Sequence, residues 1–293
     1  MTVFCVGSIN ADYFYDVARI PAPGETLAAN AMRQGLGGKG ANQSVAAARA
    51  GARVVHIGAV GEDGAWAVAR LTALGVETRH IRTVDAPTAH AIITVAKDGE
   101  NAIVIFSGAN LLQSEAAIQE ALQEAVPGDC LILQNETSHQ IEAAKLASKA
   151  GLEVIYSAAP FDVDAVTAVL PFVDILVVNE LEAQQLETAL GVVVSDVPVE
   201  AVIVTRGASG ADYVSNTGVI HADAPKVTAV DTTGAGDTFL GYFVGARDQG
   251  FEVTSALGLA VKAAALKVTR PGTADAIPSR ADLDRFAASQ PRT

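Results

Sequence analysis

A chain of 293 residues, half of them apolar, has the material for one large α/β domain with a sizeable core. Its formal charge of −13 leaves no basic field for a nucleic-acid partner, and no apolar run reaches the ~18 residues of a membrane span. Cys5 and Cys130, the two cysteines, lie inside apolar runs and read as buried strand residues, not as a disulfide or a nucleophile. The five histidines show no metal-ligand spacing, and with no leader-like segment at the start the expected location is the cytoplasm.

In chain order, the apolar run 3–9 predicts a strand whose carboxyl end carries Asn10 and Asp12. Tyr13, Tyr15 and Val17 continue at strand spacing before the turn Pro21–Glu25, so segment 12–34 stands outside a βα alternation. Gly35–Gly40 satisfies G-x-G-x-x-G, but no apolar strand directly precedes it and the next strand, 54–60, ends without an acid. A dinucleotide fingerprint needs both, and a Walker loop is excluded because Gly40 follows Lys39. Helical periodicity covers 40–50, 64–74, 114–125, 138–150 and 252–268. Strands are expected at 130–135, 153–158, 174–179 and 201–205, and His56 inside 54–60 reads as a core histidine. Residues 90–107 hold two strand-like runs joined across Lys97–Glu100, taken with 12–34 as antiparallel pieces of a small second sheet. Asn216-Thr217-Gly218 reads as the turn of a hairpin, and the end from Ser289 to Thr293 is expected to fray. Continuously apolar strands alternating with helices imply a parallel sheet covered on both faces.

Chemistry concentrates where those strands end. Glu136 follows one strand, Asn179, Glu180 and Glu182 a second, and Thr205, Arg206 and Gly207 a third; ligands of open parallel sheets bind at that rim. The segment Asp231-Thr232-Thr233-Gly234-Ala235-Gly236-Asp237-Thr238 then opens a helix with Phe239, Leu240, Phe243 and Val244 on one face. Amides of a first helical turn can hold an anion, and a carboxylate beside them can take a proton from a hydroxyl. A glycine-rich loop with a capping carboxylate is the plainer alternative. Similarly, Lys39 could be a surface cation, Asp12 a turn cap and Glu182 a first-turn helix acid.

Taken with Gly37-Gly38-Lys39-Gly40-Ala41-Asn42, Gly7-Ser8-Ile9-Asn10-Ala11-Asp12 and Asn179-Glu180-Leu181-Glu182, the segment closely resembles the ribokinase group of PfkB-type sugar kinases, over nearly the whole chain. That resemblance implies a ribokinase-like three-layer α/β/α sandwich, residues 1–293 as one domain, with a mostly parallel central sheet and a β lid from 12–34 and 90–107. It implies transfer of a phosphoryl group from ATP to a primary hydroxyl of a small sugar, ribose being the first candidate. Another sugar, a sugar acid or a nucleoside is the alternative, as is a non-catalytic sugar sensor on the same scaffold. By the same resemblance Asp237 is the base and the amides of Gly234, Ala235 and Gly236 are the anion hole, while Asn10, Asp12, Gly38, Lys39, Asn42, Glu136 and Asp237 meet the sugar. Asn179, Thr205, Gly207 and Gly236 would meet ATP, with 259–272 closing over the adenine, and Asn179 and Glu182 would organise Mg²⁺ through water. A K⁺ site is implied at the Asp231 carboxylate and the backbone carbonyls of Thr233, Lys267, Arg270 and Gly272, although Ala276 stands where a serine ligand is common and Val261 where a polar residue is common. A homodimer through the lid completes the expectation.

Overall fold

A computed structural model describes residues 1–289. In chain order its elements begin with β1 (Thr2–Val6), β2 (Asn10–Val17), β3 (Ala31–Gly37), α1 (Lys39–Ala50), β4 (Arg53–Val60), α2 (Ala65–Ala73), β5 (Glu77–Thr83), β6 (Ala89–Ala96) and β7 (Asn101–Phe106). There follow α3 (Glu115–Leu122), β8 (Cys130–Gln134), α4 (Gln140–Ala150), β9 (Glu153–Ser157), α5 (Val163–Val169), β10 (Ile175–Asn179), α6 (Glu180–Leu190) and β11 (Ala201–Thr205). The hairpin β12 (Ala211–Ser215) and β13 (Gly218–Ala222) leads to α7 (Ala235–Asp248), α8 (Val253–Lys267) and α9 (Arg280–Ser289). Most of the expected fray at 289–293 lies outside the described residues, and Ser289 closes α9.

The large sheet has nine strands in the order β13-β12-β11-β10-β9-β8-β1-β4-β5. From β11 to β5 every pairing is parallel, and only β12 runs against it, pairing antiparallel with both β11 and β13. Its central strands are mostly apolar because both faces are covered, with polar residues kept to their ends. Val3 and Cys5 of β1 enter one core cluster with α1, α7 and α8, while Phe4 and Val6 enter a second with α3, α4 and α5. The same alternation divides β8, β10 and β11 between the two layers. β1 lies between β4 and β8, so the chain order reverses there, and a crevice opens at the carboxyl ends of these strands.

Four strands form the second sheet, in the order β3-β2-β6-β7. The expectation of purely antiparallel pieces is corrected: β2 and β6 pair in parallel, from Asn10↔Ala89 to Val17↔Ala96. They run alike because both strands leave the large sheet from the same rim. The first strand also ends sooner than the expected 3–9. It stops at Val6, the Gly7 amide reaches Ile57 O at 3.1 Å, and Asn10 and Asp12 already belong to β2. Strand β5 and helices α5 and α9 were not anticipated; β5 is rich in charged residues and α5 is short. Nor is α7 the one-faced helix expected, since it is buried from Asp237 to Ala246.

Candidate active site

Close packing of two helices assembles the centre. A Cβ on Gly241 of α7 would lie 2.4 Å from Ala46 Cβ and 2.5 Å from Gln43 O, and one on Gly245 would lie 2.6 Å from Ala50 Cβ. Only bare glycine backbone lets α1 come this near, and the approach carries Asn42 and Gln43 to the first turn of α7. There Asn42 Nδ2 donates to Asp237 Oδ2 at 2.9 Å and Gln43 Nε2 donates to Asp237 Oδ1 at 3.0 Å. Gln134 Nε2 in turn donates to Gln43 Oε1 at 2.7 Å. The buried Asp237 carboxylate is therefore oriented through both oxygens, and a hydroxyl brought against it could pass it a proton.

Gly234 precedes α7 with φ +73°, the left-handed conformation that favours glycine. Behind it, a Cβ on Gly236 would meet nothing within 4 Å among the described residues. The first amides of α7 thus face open space at the positive end of the helix dipole, the geometry of an anion site. They border a cavity of about 170 Å³ that also touches Lys39, Asn179, Glu182, Thr205, Thr232 and Asp237.

On one side stand the polar residues expected to meet a sugar. Asn10 Oδ1 accepts from Asn110 Nδ2 at 2.8 Å, and Asn110 Oδ1 accepts the Ile9 amide at 3.0 Å. Glu136 Oε2 accepts from Ser8 Oγ and from the Lys39 amide, and its Oε1 lies 3.8 Å from Lys39 Nζ. Burial opposes the Lys39 charge, but Asp237, Glu136 and Glu182 outweigh it and hold its pKa above the usual value. Burial pushes the Asp12 carboxyl up to about 7, with Glu136 and Asp237 adding to the shift and Thr273 and Arg33 opposing it. Asn42 Oδ1 is buried without a partner among the described residues, an acceptor left free beside Asp237. At Gly38, expected to meet the sugar, the side-chain space is filled by protein, a Cβ there lying 2.7 Å from Ser8 O, and a Cβ on neighbouring Gly37 would lie 2.0 Å from Asp12 Oδ2.

On the other side a cavity of about 410 Å³ is lined by Thr205, Gly207, Pro225, Phe239, Val261 and Ala264, among others. It shares Thr205, Thr232, Ala235 and Gly236 with the smaller cavity, so the two form one cleft. Its walls are mostly apolar, suited to a flat aromatic base with phosphates directed toward α7. Part of the 259–272 segment lines it, and Val261 is among its walls. Asn179 and Glu182 form a capping box at the head of α6, with Glu182 N to Asn179 Oδ1 at 2.9 Å and Asn179 N to Glu182 Oε2 at 2.8 Å. Both still open on the smaller cavity, and burial raises the Glu182 pKa against the Asn179 amide and Lys39.

Among the described residues no group of three His, Cys, Asp or Glu side chains is gathered to hold a metal directly. One carboxylate opening on a phosphate-sized space is nevertheless what Mg²⁺ accepts, since it keeps several waters and takes oxygens from the nucleotide. Of the residues expected around K⁺, Asp231 meets Thr233, Lys267 and Gly272, its Oδ2 accepting the Gly272 amide at 2.8 Å. Arg270 turns its guanidinium to Asp282.

Sequence reasoning missed Gln43, Asn110, Gln134 and Thr273. Gln43 follows Asn42 directly in the GAN segment, but nothing local says that both amides reach one carboxylate. Asn110 lies in a short connection between β7 and α3 and comes to the site only through the second sheet. His56, by contrast, is the core histidine expected, with Nδ1 2.8 Å from Ser44 Oγ and Nε2 3.2 Å from Gly7 O.

The pfkB family carbohydrate kinase pattern matches residues 2–280. A ribokinase of Haemophilus influenzae is 37% identical, covering 97% of this chain and 98% of its own. A deoxyribokinase of Salmonella typhi is 33% identical and covers 98% of each. Among solved structures, the Arabidopsis thaliana ribokinase complexed with ribose and ATP has a TM-score of 0.83 at 30% identity, covering 97% of this chain and 98% of its own. With its two-layered core, parallel sheet and cleft at the head of α7, the chain belongs to the pfkB family of carbohydrate kinases.

Proposed function

We propose that this kinase moves the γ-phosphoryl group of ATP to the primary hydroxyl of ribose, yielding ribose 5-phosphate and ADP. The observation that carries the reading is Asp237: a buried carboxylate held at both oxygens by side-chain amides of α1, directly after Gly236, an open glycine in the first turn of α7. Asp237 takes the hydroxyl proton as the sugar oxygen attacks the γ-phosphorus, and the bond to the ADP oxygen breaks. The amides of Gly234, Ala235 and Gly236 stabilise charge on the phosphoryl group in transit. Mg²⁺, held through its waters by Asn179 and Glu182, would neutralise the phosphate oxygens. Asn10, Asp12, Lys39, Asn42 and Glu136 bind the sugar, with Gly38 shaping the backbone beneath it, and Thr205, Gly207 and Gly236 line the nucleotide side. Ribose is favoured over 2-deoxyribose by the number of acceptors and donors around the sugar pocket, since a site built to bond a hydroxyl rejects the analogue without it.

The second sheet acts as a lid of the single domain, excluding water that would compete for the phosphoryl group. Its edge strand β7 exposes Ile103, Val104, Ile105 and Phe106, Ile92 is exposed on the adjacent β6, and Met32 on β3 at the other edge. Unpaired apolar edges invite strand pairing, so the lid is also the expected homodimer contact. Two free, buried cysteines agree with work in the cytoplasm.

A coupled ADP-release screen over pentoses, 2-deoxyribose, hexoses, sugar acids and nucleosides tests the substrate. The highest kcat/KM is expected on ribose. A higher value on deoxyribose or a nucleoside overturns that assignment, and silence on all of them favours the sugar sensor.

A further inference from the structure

The residues that the resemblance assigns to K⁺ already contain a cation. Lys267, the last residue of α8, is 0% exposed. Its Nζ donates to the backbone carbonyl of Asp231 at 3.1 Å, within the segment whose carbonyls would coordinate K⁺. Both carboxylate oxygens of Asp231 are engaged, Oδ1 by the Thr233 amide at 2.9 Å and Oδ2 by the Gly272 amide at 2.8 Å. The Lys267 carbonyl, expected as a K⁺ ligand, accepts the Arg270 amide at 2.9 Å. Ala276 supplies no side-chain oxygen; its methyl lies 3.8 Å from where a Cβ on Gly272 would stand, so it borders the same loop. A second monovalent cation here would be repelled by the buried ammonium at short range and low dielectric. This set does not fit K⁺.

We propose that Lys267 is a tethered monovalent cation that replaces K⁺, holding the Asp231–Gly234 turn in shape and making phosphoryl transfer independent of added K⁺. A fully buried lysine is rare because its charge loses hydration, and this one is compensated locally. Asp231 and Asp237 are the acidic groups facing it, and the carbonyl ends of α8 carry partial negative charge. Burial nonetheless depresses its pKa against those two carboxylates. The ammonium fixes Asp231 through its carbonyl, and the Asp231 carboxylate fixes the amide of Thr233, next to Gly234 and the anion site. A bound K⁺ would do the same work by coordination, but only while the ion is present. The residue identified from its backbone by resemblance therefore acts through its side chain.

The proposal rests on the kinase reading, and its test separates the two. The enzyme is dialysed into tetramethylammonium buffer free of K⁺, Na⁺ and NH₄⁺, then assayed for ADP release with and without KCl. Wild-type kcat should change less than about twofold, whereas Lys267→Ala should lose about tenfold or more without K⁺ and recover with it. Thermal unfolding gives a second readout: K⁺ should raise the Tm of Lys267→Ala and leave that of the wild type where it was. Lys267→Met, which keeps the stem and removes the charge, serves if the alanine variant does not fold. Activation of the wild type by K⁺ of tenfold or more overturns the proposal. So does full activity of either variant without K⁺, or a folded variant whose rate and Tm both ignore K⁺. A wild type inactive on every sugar strikes at the kinase reading, while the Tm comparison still decides the role of Lys267.

Discussion

Two glycine clusters face each other across the cleft, and their glycines do different physical work. Around Gly37–Gly40 the missing side chains are replaced by protein: a Cβ on Gly40 would sit 2.4 Å from Gly7 Cα, and the space beside Gly37 holds the Asp12 carboxylate. At Gly236 the corresponding space is empty to 4 Å and opens on both cavities. The first cluster lets the start of α1 touch the end of β1 and so sets the sugar-side residues in place. The second leaves bare amides for a ligand. Glycine count alone could not distinguish a packing role from a binding one.

Asp237 joins the two clusters, because α1 orients it and α7 carries it. Replacing it with asparagine should lower kcat by about 10²–10⁴-fold with little change in sugar affinity, read by steady-state kinetics and by sugar titration. Comparable kcat in Asp237→Asn would remove it from proton transfer. The clusters themselves separate next. Gly40→Ala should destabilise the fold by about 1–3 kcal/mol through overpacking, seen as a lowered denaturation midpoint. Gly236→Ala should leave that midpoint unchanged and lower kcat/KM for ATP about tenfold, because its methyl intrudes only on the ligand's space. The reverse pattern would exchange the roles assigned to the two regions.

A smaller effect is expected from Lys39→Ala, which should raise the sugar KM about tenfold, or ~1.4 kcal/mol, while the folded state persists. An unchanged KM for every phosphorylated sugar would take Lys39 out of the sugar pocket. The smallest concerns Asp12, whose carboxyl is pushed up to about 7 mainly by burial. An unfolded aspartate ionises near pH ~4, so the native state holds the proton more tightly. Its contribution to stability is complete below pH ~4 and is lost as pH rises through about 7. Asp12→Asn should therefore raise Tm by a few degrees relative to wild type above pH ~7, and by less near pH ~5. An equal difference at both would mean that Asp12 is not an uncompensated buried charge.

Much of the frame was legible from local pattern. Continuously apolar strands announced a sheet covered on both faces, and alternate residues of β1, β8, β10 and β11 do enter opposite cores. The motif residues Lys39, Asn179, Thr205, Gly236 and Asp237 were visible as types at strand ends and helix starts, and they do line one cleft, with Asn42 bonded to Asp237 behind it. Boundaries near Gly7 were not legible, because an apolar run says nothing of where the chain leaves one sheet for another. The parallel pairing of β2 with β6 was hidden for a related reason: strand direction depends on a partner some 80 residues away in sequence.

What the sequence alone determined, then, was which segments are helix or strand and where glycine, carboxylate and amide recur, since hydrophobic period and turn chemistry are local properties. Tertiary structure decided which of those groups meet. Gln43 became an orienting residue only because Gly241 and Gly245 let α1 lie against α7. Lys267 became an internal cation only because the end of α8 meets the backbone of Asp231, 36 residues earlier in the chain. Side-chain direction and burial are settled by packing between distant elements, and no local pattern encodes them.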